Sequence, residues 1–158
     1  MWEPKVLRSG AGAHFRVPII NNVSWDDLKS HVDDDVSVFL ADSNALSSHD
    51  NTPVSPGSYE QLLNSIPVIP YFAAEYSKSG TIVLVIGGET EGLSDDSFKL
   101  ALERSGIRLN IPLSNDVDSL NSGIAFGVIV FEIKRQFLRK VSDKHKDNAE
   151  EIEIQAQL

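Results

Sequence analysis

Three short apolar runs punctuate the chain: Val36 to Asp42, Thr81 to Ile86 and Ile107 to Leu113. Each is rich in β-branched or aliphatic residues and runs into turn formers, so each predicts a strand. The second, Thr81-Ile82-Val83-Leu84-Val85-Ile86, is uninterrupted and suits a parallel-sheet strand covered on both faces. It passes directly into Gly87-Gly88-Glu89-Thr90-Glu91-Gly92. Ser94 is placed to cap a helix with Asp95 and Asp96 in its first turn, an apolar side of Phe98, Leu100, Ala101 and Leu102, and a stop at Gly106. After the third strand comes a polar loop, from which Asp118 or Ser119 can cap a last helix. That helix carries Ile124, Phe126, Val128, Ile129 and Phe131 on all its sides, a pattern of deep burial or of a subunit interface. Strand, helix, strand and helix in this order predict a right-handed parallel α/β unit whose ligands sit beyond the carboxyl ends of the strands. Both glycine turn and polar loop fall at that edge.

The remaining segments are less regular. Lys5 to Ala13 reads as a short, closely packed helix, Phe15 to Ile20 as the approach to a strand, and Ser24 with Asp27 as a capping box opening a short helix. Residues 45–80 hold Pro53, Pro56, Pro67 and Pro70 among serines and asparagines. Apart from a helical turn around Tyr59 to Leu63, they read as a long loop or an insertion of little structural consequence rather than a flap. The expected organisation is one domain over 1–141 and a polar, disordered tail over 142–158.

Composition narrows the chemistry. A chain of 158 residues, 41% hydrophobic and 23% charged, supports one real core. No cysteine is present, which excludes disulfides and thiolate-bound zinc, and the four histidines lack ligand spacing, so no metal is expected. The strongest apolar stretch, Ile124 to Phe131, is too short to cross a bilayer, and no leader is visible, so no membrane association is expected. A net charge of -9 disfavours a generic polyanion binder. Even so, Lys134, Arg135, Arg139, Lys140, Lys144 and Lys146 gather in one segment, either as a solvated helix end or as an RNA-facing patch.

Alone, the Gly87-Gly88-x-x-x-Gly92 turn lacks the spacing of the dinucleotide fingerprint and of the phosphate-binding loop, and Ser119 and Asn121 can be mere capping groups. The combination is more specific. Leu84-Val85-Ile86-Gly87-Gly88-Glu89-Thr90-Glu91-Gly92-Leu93, then Ile111-Pro112-Leu113, then Ser119-Leu120-Asn121 leading into a helix with Phe131-Glu132-Ile133-Lys134-Arg135-Gln136, resembles motifs two and three of the SpoU (TrmH-type, SPOUT superfamily) RNA 2′-O-ribose methyltransferases. The stretch from Trp2 to Arg16 with Pro18 to Asn22 is similar, more narrowly, to the mitochondrial large-subunit rRNA branch of that family.

The resemblance implies a mostly parallel sheet with helices on both faces, tied in a trefoil knot around bound S-adenosyl-L-methionine. By position, Gly87, Gly92, Ile111, Pro112, Leu113 and Leu120 would hold the cofactor, largely through main-chain atoms. Glu89, Ser119 and Asn121 would be the catalytic side chains. RNA, a homodimer partner and a mitochondrial location are implied with them. Motif one of the family, an Asn-x-Gly with a following arginine, is not found, so the amino-terminal part of the domain is expected to be missing and the isolated chain to be inactive. Its absence keeps open a second reading, a non-catalytic RNA- or subunit-binding module of the same fold.

Overall fold

The computed structural model describes the backbone at residues 2–43, 63–78, 80–114 and 119–156, and side chains in the last helix as far as Asp143. The chain forms two compact units, Met1–Asp33 and Asp34–Leu158. In the first, α1 (Pro4–Ser9) starts on a proline that suits a first helical turn. A 3-10 turn at Ala13–Phe15 follows, and then α2 (Trp25–His31). Ser24 Oγ accepts from the Asp27 N–H at 3.1 Å, as the capping box predicts. The rings of His14 and Phe15 gather against Trp2 at 5.7 and 6.4 Å. Phe15 to Ile20 forms no strand: Phe15, Val17 and Ile20 are exposed and pair with no neighbouring strand.

The second unit is a four-stranded sheet in the order β2-β4-β1-β3, formed by β1 (Val36–Ala41), β2 (Val68–Pro70), β3 (Thr81–Ile86) and β4 (Ile107–Asn110). All pairings are parallel, with Val36 opposite Thr81, Phe39 opposite Ile107 and Val68 opposite Arg108. The two inner strands, β4 and β1, are the most deeply buried. The apolar β3 lies at the edge with every residue half-buried, so its unbroken hydrophobicity reports parallel pairing but not cover on both faces.

Among the described residues two longer helices complete the unit, beside a helical turn at 63–65. Ser94 caps α3 (Asp95–Glu103), accepting from the Ser97 N–H at 3.3 Å. Helix α4 (Ser122–Ala156) is 35 residues long. Its Ile129 is fully buried and packs with Phe39, Ala74, Tyr76 and Leu109 on one face of the sheet. Strand alternation turns Val36, Val38 and Leu40 to the other face, where α3 packs against β1 and buries Leu100 and Ala101. Among the described residues no helix is long and apolar enough to cross a membrane.

Two expectations are corrected here. Part of the supposed inconsequential insertion is structural: Val68–Pro70 adds an edge strand, where proline is tolerated, and two 3-10 turns, Tyr71–Ala73 and Tyr76–Lys78, carry Ala74 and Tyr76 into the core. The helical turn expected at Tyr59 to Leu63 lies mostly outside the described residues. Nor does the last helix stop at Val141: it runs to Ala156 through the segment read as a disordered tail. No glycine or proline occurs after Gly127, and the segment is rich in good helix formers, so nothing in it breaks the backbone ladder.

Candidate active site

At the carboxyl edge of the sheet, β3 delivers the chain into the glycine turn. Gly88 and Gly92 exchange two backbone hydrogen bonds of 3.0 Å each, closing the turn into a small antiparallel bridge. Gly92 has φ of 67°, a left-handed conformation that side-chain-bearing residues rarely take. At Gly87 the constraint is space: a Cβ there would lie 2.5 Å from the Gly92 carbonyl carbon and 2.8 Å from Leu93 N. Gly88 faces open space, so its backbone stays approachable.

The start of α4 meets this turn. Asn121, rather than Ser119 or Asp118, is the helix cap: its Oδ1 accepts from the N–H groups of Gly123 at 3.0 Å and Ile124 at 3.3 Å. Asp118 lies outside the described residues. With its Oδ1 engaged by the helix, Asn121 is free to point Nδ2 away from it, and Nδ2 donates to Glu89 Oε1 in the glycine turn. Ser122 Oγ donates to the Gly87 carbonyl at 3.2 Å. The helix is thus tied to the loop by two polar contacts that span more than thirty positions of sequence.

These elements enclose an open cleft of about 1120 Å³. Every residue singled out from the sequence, namely Gly87, Glu89, Gly92, Ile111, Pro112, Leu113, Ser119, Leu120 and Asn121, lines it. The sequence reading missed its polar floor. Arg108 Nε donates to Asp42 Oδ2 at 2.8 Å, each side chain only 9% exposed, and the guanidinium lies 5.9 Å from the centre of the Phe98 ring. A buried charge is tolerated only when paired. The signal was available: an arginine inside Ile107-Arg108-Leu109-Asn110 demands a partner, and Asp42 ends the neighbouring strand. Beside this pair, the buried Asn110 has no hydrogen-bond partner for its Oδ1 among the described residues. Among the described residues no cluster of metal-ligating side chains occurs.

Fold and site together define a parallel α/β protein with an open cleft built from loops at the carboxyl edge of the sheet and from a helix amino terminus. The chain belongs to the SpoU rRNA Methylase family, whose sequence model matches residues 1–131. It is 41% identical to rRNA methyltransferase 3A, mitochondrial, of Danio rerio over 94% of this chain and 38% of that protein. It is 36% identical to rRNA methyltransferase 3, mitochondrial, of Homo sapiens, over 94% of this chain and 41% of that one. The chain therefore spans about two-fifths of the length of these relatives. The crystal structure of the A. aeolicus TrmH/SpoU tRNA modifying enzyme shares the fold, with a TM-score of 0.53 at 22% identity, over 85% of this chain and 55% of that chain.

Proposed function

We propose that this chain is the cofactor-binding part of an RNA 2′-O-ribose methyltransferase, that its cleft holds S-adenosyl-L-methionine, and that ribosomal RNA of the mitochondrial large subunit is the substrate. The observation that carries the reading is the joining of three sequence-distant pieces, the glycine turn, Ile111 to Leu113 and Ser119 to Asn121, around one cleft with Glu89 and Asn121 in contact. The mitochondrial names of the relatives support the location.

The residues present suit such a cofactor. Gly87 and Gly92 let the turn close tightly, Gly88 leaves its backbone open to approach, Ile111, Pro112, Leu113 and Leu120 offer apolar contact, and the Asn110 Oδ1 is an acceptor that a ligand amine can satisfy. When bound, S-adenosyl-L-methionine supplies a methyl group activated by the sulfonium charge. Ser119 and Asn121, at the helix start, orient the ribose by hydrogen bonding, and the Glu89 carboxylate holds the Asn121 amide in place. A trefoil-knotted topology belongs to the same reading, as the family resemblance implies.

A homodimer belongs to the same reading. Ile124, Phe131 and Leu138 recur every seven residues on α4 with exposures of 58%, 73% and 60%, an apolar seam suited to a second copy.

Calorimetric titration of S-adenosyl-L-homocysteine tests the proposal, with Leu120→Asp as the comparison. Binding that the aspartate abolishes is expected. Absence of binding to the folded wild-type chain would favour the non-catalytic RNA- or subunit-binding module instead.

A further inference from the structure

Away from the cleft, a second groove of about 510 Å³ runs between α4 and the turns at Tyr71–Lys78. Four cations, Lys78, Arg135, Arg139 and Lys140, line it against two carboxylates, Glu75 and Asp143, in a protein whose overall charge is -9. Phe72, 56% exposed, stands at its wall. We infer that this groove docks single-stranded RNA, its cations on the phosphates and Phe72 under an unstacked base. The inference rests on the RNA reading above and extends it to a surface outside the cleft.

Firm anchoring beneath the groove and solvent-exposed pairing at its rim argue for this use. Gln136 Nε2 donates to the Ala74 carbonyl at 2.9 Å while its Oε1 accepts from the Tyr76 N–H at 3.0 Å, so the turn segment is stitched to the helix. Lys140 Nζ donates to the Ser77 carbonyl, anchoring the other end. Glu132, with an 11% exposed side chain, holds Arg135 through two hydrogen bonds of 2.7 Å and fixes that guanidinium at the groove. At the rim the pairs are solvent-exposed. Lys78 and Glu75 are 74% and 66% exposed, and Arg139 sits 3.9 Å from an Asp143 that is 59% exposed. Exposed pairs of this kind contribute little to stability, so phosphate oxygens can replace the carboxylates at little cost.

Position separates this surface from the apolar seam. With about 3.6 residues per turn, Glu132, Gln136, Arg139 and Asp143 share one flank of α4, and Ile124, Phe131 and Leu138 share another. A second copy on the seam would leave Gln136, Arg139 and Asp143 open, with Arg135 at its border. An exposed aromatic beside exposed cations suits single strands, whose bases have free faces, better than a duplex.

Fluorescence anisotropy with a short fluorescein-labelled oligouridine, titrated with the chain over a range of salt, tests the inference. Lys78→Ala and Arg139→Ala should each lower the salt slope by about 0.7 and weaken binding about fivefold at about 0.1 M salt, with Arg139→Lys restoring the slope. Phe72→Ala should weaken binding about fivefold or more with the slope unchanged. Unchanged affinity and slope in all of these variants, equal binding of a duplex, or no binding by the wild type would each overturn the groove. S-adenosyl-L-homocysteine binding by the same samples keeps the two questions apart: retained in the variants, it shows an intact fold and cleft, and lost in the wild type it sinks the methyltransferase reading itself.

Discussion

The long helix α4 meets the rest of its unit in two places that differ in kind. At its amino terminus it touches the glycine turn through polar groups, Asn121 to Glu89 and Ser122 to Gly87, beside an open cleft. Further along it is locked down: Ile129 is fully buried, and the Gln136 amide is matched to the backbone of Ala74 and Tyr76. Tyr76 is itself buried and donates its hydroxyl to the Tyr71 carbonyl at 2.7 Å. Burial raises the pKa of that phenol well above its usual value, with the Glu132 carboxylate adding to the effect. The contrast shows how one helix serves two ends. Its middle supplies the stability that lets its start remain solvated and available to a ligand.

The sharpest way to break this division is at the joint. Ile129→Ala should cost about 2–5 kcal/mol in chemical denaturation, because it opens a cavity among Phe39, Tyr76 and Leu109. A loss below about 0.5 kcal/mol would mean that the joint does not hold the unit. At the cleft the informative pair is Gly87→Ala beside Gly88→Ala. The first must push the Gly92 backbone aside, so it should cost about 1–3 kcal/mol and abolish S-adenosyl-L-homocysteine binding in calorimetry. The second meets nothing and should stay within about 0.5 kcal/mol of wild type. Equal effects from the two would refute the close-approach account of the turn.

Asn121→Ala should cost about 0.5–2 kcal/mol by removing the helix cap, and Asn121→Ser, which can still cap, should recover most of that stability. Methyl transfer by an active form of the enzyme should not recover with the serine if the amide contact to Glu89 positions the site.

The smallest effect is a pH dependence. Hydrogen bonds from Arg135 lower the Glu132 pKa below its usual 4.5. A depressed carboxylate adds stability above its unfolded value and loses that stability as pH falls through the folded value. Glu132→Gln should therefore flatten the acid limb of the stability curve below about pH 4.5 while leaving the neutral region nearly unchanged. An identical acid limb in the variant would remove Glu132 from the joint.

Much of the site was legible along the chain because its features are local. The glycine turn, the Ser94 and Ser24 caps and the three apolar strands depend on the backbone preferences of neighbouring residues, and they fall where the spacing placed them, except that the third strand ends at Asn110 and leaves Ile111 to Leu113 as loop. Where local signals were weak, the reading failed. Val68–Pro70 is a strand only because β4 lies beside it, and Tyr76 reads as a loop residue until Ile129 and Phe39 surround it. Along the chain Asp42 is only the polar end of a strand, because its partner Arg108 is sixty-six residues away.

The sequence by itself determined the strands β1, β3 and β4, the glycine turn, and the polar and apolar residue types that flank it. These follow from steric and hydrogen-bonding preferences within a few residues. Only the tertiary structure decided that nine scattered positions line one cleft, that Arg108 and Asp42 form its charged floor, and that the basic residues of α4 share a groove with Phe72. Burial, charge pairing and cavity shape depend on which distant segments meet, and no local pattern along the chain encodes that meeting.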